Sequence, residues 1–198
     1  MALRGKIADH RKGGWKMTPY RIILIEDRKK DAEEIVDCLE ELMKKRDDKK
    51  YNFRIEHIEG KKAEKYEEDE YLHYDESVID EIEAKYLESS QKKEKMGLLL
   101  DVMLTKEDLE SSLSSYYPQA ELAKRIYFEF HDSMPVYMIT ASPVFAIQSD
   151  IIMGVDLSEQ YIAKNALLRY KFENNIAKLF EFYQNFNFEE NCEEGNYV

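Results

Sequence analysis

Four short apolar runs, each closed by a polar group, set the pattern of this chain. Residues 21–25 run into Glu26 and Asp27, residues 96–100 into Asp101, residues 134–139 into Thr140, and residues 160–163 into Lys164. Each run has strand length, and the continuous Ile/Leu character of the first suits a central strand covered on both faces. Residues 51–58 alternate like a further, edge strand. Between the strands, apolar positions return at helical spacing. Ala32, Ile35, Val36, Leu39, Leu42 and Met43 predict a helix from Asp31 to about Lys45, with Asp31 and Glu34 as a capping box and Lys44, Lys45 and Arg46 on its C-terminal dipole. Leu122, Ala123, Ile126, Tyr127 and Phe130 predict the inner face of a helix that Pro118 can begin. Ser142 and Pro143 open another, through about Ile152, that Gly154 ends. Leu168, Phe172, Ile176, Leu179, Phe180 and Tyr183 stripe a last helix from Ala166 to about Tyr183. The order is β then α, five times, which implies a parallel sheet with helices on both faces.

Residues 60–95 depart from this rhythm. They hold seven Lys and twelve Asp or Glu, so most of the stretch must face water. Val78, Ile79, Ile82, Tyr86 and Leu87 still give a narrow helical stripe. The reading is one required crossover helix, lengthened or doubled by a charged insertion between the second and third strands. It is too acidic for a basic membrane helix. His57 shares a face with Tyr51, Phe53 and Ile55 and has no partner histidine nearby, which favours a packed or surface side chain over a metal ligand.

Composition narrows the class. At 198 residues with 43% hydrophobic content, the chain suits one domain with a real core. No apolar run approaches the ~20 residues of a membrane span, and the start lacks the apolar region of a signal peptide. Cys38 and Cys192 are too few for a disulfide framework, and no spacing suggests zinc, so reduced thiols in the cytoplasm are expected. The net charge of -12 argues against a broad nucleic-acid surface. Residues 1–19 form a locally basic extension, residues 20–184 the domain, and residues 185–198 a polar, acidic tail expected to fray.

Chemistry enters at the strand ends. In an open parallel sheet, ligands bind beyond the carboxyl ends of the strands, where strand order reverses. Glu26, Asp27, Asp101, Thr140 and Lys164 would meet there. Three neighbouring carboxylates repel unless a cation sits among them. Magnesium takes oxygen ligands, keeps waters and commonly binds one or two carboxylates plus a phosphate. One aspartate would keep an oxygen free to attack phosphorus, as carboxylate nucleophiles that form aspartyl phosphate do.

This set of pieces resembles the receiver domain of two-component response regulators. The matching stretches are Ile-Leu-Ile-Glu26-Asp27, Leu-Leu-Leu-Asp101-Val-Met103, Pro-Val-Tyr-Met-Ile-Thr140-Ala141 and Tyr161-Ile-Ala-Lys164, within about residues 20–184. The resemblance implies a flavodoxin-like, doubly wound five-stranded parallel sheet in the order 2-1-3-4-5. It implies that Asp101 accepts the phosphoryl group, that Glu26, Asp27, Asp101 and the backbone carbonyl of Met103 hold Mg2+, and that Thr140 and Lys164 contact the phosphoryl oxygens. Tyr161 resembles the aromatic residue that switches rotamer with Thr140. The implied donor is a sensor histidine kinase or a phosphotransfer protein. Output would then run through protein contact with an unidentified downstream protein, or through a homodimer, with no membrane or direct nucleic-acid partner.

Two positions depart from the family. Thr105 and Asn165 stand where prolines usually follow the nucleophile and the lysine. A non-proline cis bond at the second would cost ~3 kcal/mol, so a trans bond or a reshaped loop is expected. These changes and the insertion motivate an alternative, a phosphorylation-independent interaction module on the same fold. An aspartyl phosphatase is disfavoured, because Met103 occupies the place of the second Asp that would protonate a leaving group.

Overall fold

The computed structural model describes residues 20–45, 53–62, 71–102, 121–141, 149–150, 153–164 and 173–186. In chain order the elements are β1 (Tyr20–Ile25), α1 (Lys29–Lys45), β2 (Phe53–His57), β3 (Lys61–Lys62), β4 (Leu72–His73), α2 (Ser77–Lys92) and β5 (Lys95–Asp101). Then come α3 (Glu121–Phe130), β6 (Val136–Thr140), β7 (Tyr161–Ala163) and α4 (Glu173–Asn185). Five strands make one all-parallel sheet in the order β2-β1-β5-β6-β7. This differs from the expected 2-1-3-4-5 because two short strands, β3 and β4, intervene and pair antiparallel with each other outside the sheet.

The sheet is covered on both faces, as period-two alternation in buried strands requires. Ile23, Ile25, Leu98, Leu100, Val136 and Met138 point to one side, against Val78 and Ile82 of α2 and Leu122, Ala123, Ile126, Tyr127 and Phe130 of α3. Ile22, Leu24, Leu99, Tyr137, Ile139 and Ile162 point to the other, against Ala32, Ile35 and Leu39 of α1 and Leu179, Phe180 and Tyr183 of α4. Cys38 is half-buried and packs against this second core. Among the described residues, no helix is long and apolar enough to cross a membrane.

Several expectations need correction. α1 begins at Lys29, so Asp31 lies inside its first turn and is not its cap. Asp31 instead pairs with Arg28 at 3.4 Å. The insertion does not lengthen a helix in the described residues: it contributes the β3–β4 hairpin, and α2 is a single 16-residue crossover. Leu87, placed on its inner stripe, is 61% exposed. Arg21, inside an apolar run, is 4% exposed. Its guanidinium bonds Glu56 Oε2 at 2.9 Å, Glu88 Oε2 at 2.8 Å and Ser89 Oγ at 3.3 Å, tying α2 to β1 and β2. Gly154 has φ 76°, a left-handed value that glycine adopts without strain, and it follows the helical Met153 as expected. The openings of the last two predicted helices, the basic start, the acidic tail beyond Phe186, Cys192, Thr105 and Asn165 lie outside the described residues.

Candidate functional site

Strand register brings the polar ends together. Ile25 pairs with Leu100, Asp101 with Ile139, and Thr140 with Ala163. Glu26 and Lys164 are therefore the first residues past β1 and β7, and Asp101 and Thr140 are the last of β5 and β6. All lie along the carboxyl edge of the sheet. A carboxylate oxygen from each of Glu26, Asp27 and Asp101 lies within 4.8 Å of the others. Glu26 is 0%, Asp101 2% and Lys164 6% exposed, and Asp27, at 9%, is the most open of the four.

Lys164 is the hub. Its Nζ donates to Glu26 Oε1 at 2.7 Å and to Asp101 Oδ2 at 2.8 Å, and lies 3.9 Å from Asp27 Oδ1. Such lengths belong to charge-assisted bonds, which are stronger than neutral ones. Asp101 Oδ1 accepts the Val102 N–H at 2.7 Å. Glu26 Oε1 also accepts the Arg28 N–H at 3.1 Å, which ties the carboxylate to the turn opening α1. Glu26 Oε2 is buried, and among the described residues no nitrogen or hydroxyl donates to it, although the Asp27 carboxyl lies within hydrogen-bond reach of the Glu26 carboxylate.

Among the described residues one ammonium faces three carboxylates, and the electrostatics reflect the shortfall. Burial, and then the charge of Asp101, push the Glu26 carboxyl up to about 7 against the pull of Lys164. Burial, Asp101 and Glu26 together push Asp27 up to about 10. Burial works against the Lys164 charge, but Asp101, Glu26 and Asp27 outweigh it and hold the ammonium above the ordinary lysine range. Clustered buried oxygens and two carboxyls whose ionisation is opposed by burial and by each other fit a hard divalent cation. Glu26, Asp27 and Asp101 could hold it.

Thr140 is buried at the end of β6, and Tyr161 is half-buried at the start of β7 against the core shared with α2 and α3. Met103, expected to offer its carbonyl, lies outside the described residues. His57 is the packed residue expected: its Nε2 lies 3.1 Å from the Glu26 carbonyl and 3.0 Å from the Tyr74 hydroxyl, and burial holds its imidazole below the usual range. Tyr74, which no sequence motif marks, reaches the same carbonyl with its hydroxyl at 2.9 Å. Bonds to main-chain carbonyls leave no side-chain pattern, and the alternation of Leu72 with Tyr74 was the one available hint. Comparison with protein-family models, with curated proteins and with solved structures gave no match.

Proposed function

We propose that this chain is a phosphoacceptor signalling domain of a two-component phosphorelay, with the flavodoxin-like, doubly wound architecture of a receiver. The observation that carries the reading is the meeting of Glu26, Asp27, Asp101 and Lys164 at the carboxyl edge of a parallel sheet. An Asp101 oxygen attacks the phosphorus of a phosphohistidine, the P–N bond breaks, and the imidazole leaves with its electron pair. Lys164 holds the acceptor carboxylate in place and faces the incoming phosphoryl charge. Thr140, buried beside this edge, offers its hydroxyl to a phosphoryl oxygen. Tyr161 transmits the change by shifting with Thr140 between two pre-existing arrangements. Glu26, Asp27 and Asp101 would hold Mg2+, which would neutralise carboxylate and phosphoryl charge there. The chain turns over no separate substrate and catalyses only its own phosphorylation and dephosphorylation. Its donor is a sensor histidine kinase or a phosphotransfer protein in the cytoplasm, and its output is contact with another protein.

The test is incubation of the full chain with acetyl phosphate or phosphoramidate at millimolar Mg2+, read by intact-protein mass. One phosphoryl group should appear, and it should be lost in Asp101→Asn and on removing the metal with EDTA. A second reading, a phosphorylation-independent interaction module, is favoured by Lys164, which already bonds two of the three acids and partly compensates the site from within. Absence of any phosphoryl gain with both donors would select it.

A further inference from the structure

The charged insertion does more than lengthen a connection. Residues 71–74 of it lie on the turn that carries the acid pair. The Leu72 N–H donates to the Asp27 carbonyl at 2.5 Å, and Tyr71 forms an antiparallel bridge with Arg28, whose guanidinium lies 5.4 Å over the Tyr71 ring. Two residues on, the Tyr74 hydroxyl lies 2.9 Å from the Glu26 carbonyl and 2.5 Å from the Ile58 carbonyl. The main-chain carbonyls of both Glu26 and Asp27 are thus bonded by residues 72–74.

The donors around Glu26 balance closely. Tyr74 has one hydroxyl proton and cannot serve two carbonyls fully. His57 is the second donor when its Nε2, 3.1 Å from the Glu26 carbonyl and 3.0 Å from the Tyr74 hydroxyl, is assigned the ring proton, the tautomer in which it bonds that carbonyl. Two donors therefore serve two carbonyls, and removing either leaves a buried acceptor short and the Glu26–Asp27 peptide less constrained. The hairpin closes onto this turn only because residue 60 is glycine. A Cβ there would stand 2.8 Å from the His73 carbonyl oxygen and 3.1 Å from Leu72 Cβ.

We infer that the β3–β4 hairpin is a clamp on the cation site, with Tyr74 and His57 as positioning residues that fix the backbone beneath Glu26 and Asp27 and so set the affinity for a divalent cation. The inference rests on the proposed reading of those acids as cation ligands. Groups that orient ligands from outside typically change metal affinity by about 10–100-fold when removed.

The test is calorimetric titration of the full chain with Mg2+ and with Mn2+, alongside thermal unfolding without metal. Tyr74→Phe and His57→Leu should each weaken binding about tenfold or more. His57→Gln, which keeps an N–H at the corresponding place, should stay within about threefold of the wild type by the same reasoning. Asp27→Asn serves as the control that heat reports on this site. Unchanged affinity in Tyr74→Phe and His57→Leu, with only the melting temperature lowered, would overturn the clamp and leave the cation site standing. No binding by the wild type would overturn both.

Discussion

Lys164 Nζ lies 2.8 Å from Asp101 Oδ2, although 63 residues separate them in the chain. The same ammonium lies 2.7 Å from Glu26 Oε1. Three strands of one parallel sheet, β1, β5 and β7, must end at a common edge for this to happen. The lysine is a structural counter-charge for buried acids as well as a candidate for phosphoryl recognition, and the two roles separate experimentally.

Lys164→Met keeps the bulk of the stem and removes the charge. With 7% of its side chain exposed, it leaves Glu26, Asp27 and Asp101 buried without compensation. Breaking a buried pair from one side costs ~3–5 kcal/mol. In metal-free buffer at pH 8 the variant should lose stability on that order, measured by urea unfolding. At pH 5.5 the loss should shrink, because Glu26, at about 7, then holds a proton that it has mostly released at pH 8. Equal stability of variant and wild type at pH 8 would contradict the assigned role of Lys164.

A carboxyl whose pKa is raised by folding makes the native state bind protons that the unfolded chain has released. Asp27 stands at about 10, whereas an unfolded Asp ionises near 4. Stability of the metal-free protein should therefore fall as pH rises between 7 and 8, by up to ~1.4 kcal/mol per unit for one whole proton. Glu26, at about 7, adds to the lower end of that window. His57, held below its usual range, opposes this weakly at the low end, because an unfolded His near 6.5 keeps about a quarter of its proton at pH 7, and adds little by pH 8. The Lys164 contribution is lost only above the ordinary lysine range. Asp27→Asn should flatten most of the slope, and saturating Mg2+, which favours the ionised acids, should flatten it in the wild type. A wild-type stability that rises with pH in this window would contradict the raised carboxyl pKa values.

Where the sequence was readable, the signal was local. An apolar run with a polar end identifies a strand and the group at its edge, so Glu26, Asp27, Asp101, Thr140 and Lys164 could be placed without knowing the contacts. The inner faces of α1 and α3 were legible for the same reason. The β3–β4 hairpin was not, because two-residue strands in a charged stretch show no alternation. Leu87 misled because it sits five residues from Ile82, or ~140° around the helix, off the buried face. Ser89, polar and unremarked, is 1% exposed because it bonds Arg21 and lies against Met96. Such satisfaction by distant partners is invisible along the chain.

Helix α2 ends on a strained residue that offers a clean stability test. Lys93 has φ 57°, and its N–H and that of Glu94 donate to the carbonyls of Ser90 and Ser89 at 3.1 Å and 2.9 Å. This is a Schellman ending, where the left-handed position usually holds glycine. A side chain there costs ~1 kcal/mol relative to glycine, partly offset by the greater freedom of glycine when unfolded. Lys93→Gly should raise the urea midpoint with unchanged slope, by at most about 1 kcal/mol. A lowered midpoint would mean that the Lys93 side chain makes a contact that outweighs its backbone strain.

The close approach of α4 to β5 gives the sharpest packing prediction. A Cβ at Gly97 would lie 2.7 Å from two ring carbons of Tyr183 and 3.1 Å from Pro135 Cγ. The ring has little room to retreat: Tyr183 is 0% exposed and its hydroxyl donates to the Leu98 carbonyl at 2.5 Å. Tyr20 and Tyr137 stand 5.6 Å and 6.5 Å away, centroid to centroid. A methyl group there must push the helix outward or break the hydroxyl bond, and overpacking of this kind costs ~1–3 kcal/mol. Gly97→Ala should therefore lower stability on that scale. Adding Tyr183→Leu should recover part of the Gly97→Ala loss by making room, even though Tyr183→Leu alone destabilises by emptying the space and removing the hydroxyl bond to the Leu98 carbonyl. Unfolding of the two single variants and the double variant forms a cycle, and an additive result would show that the glycine and the ring do not meet.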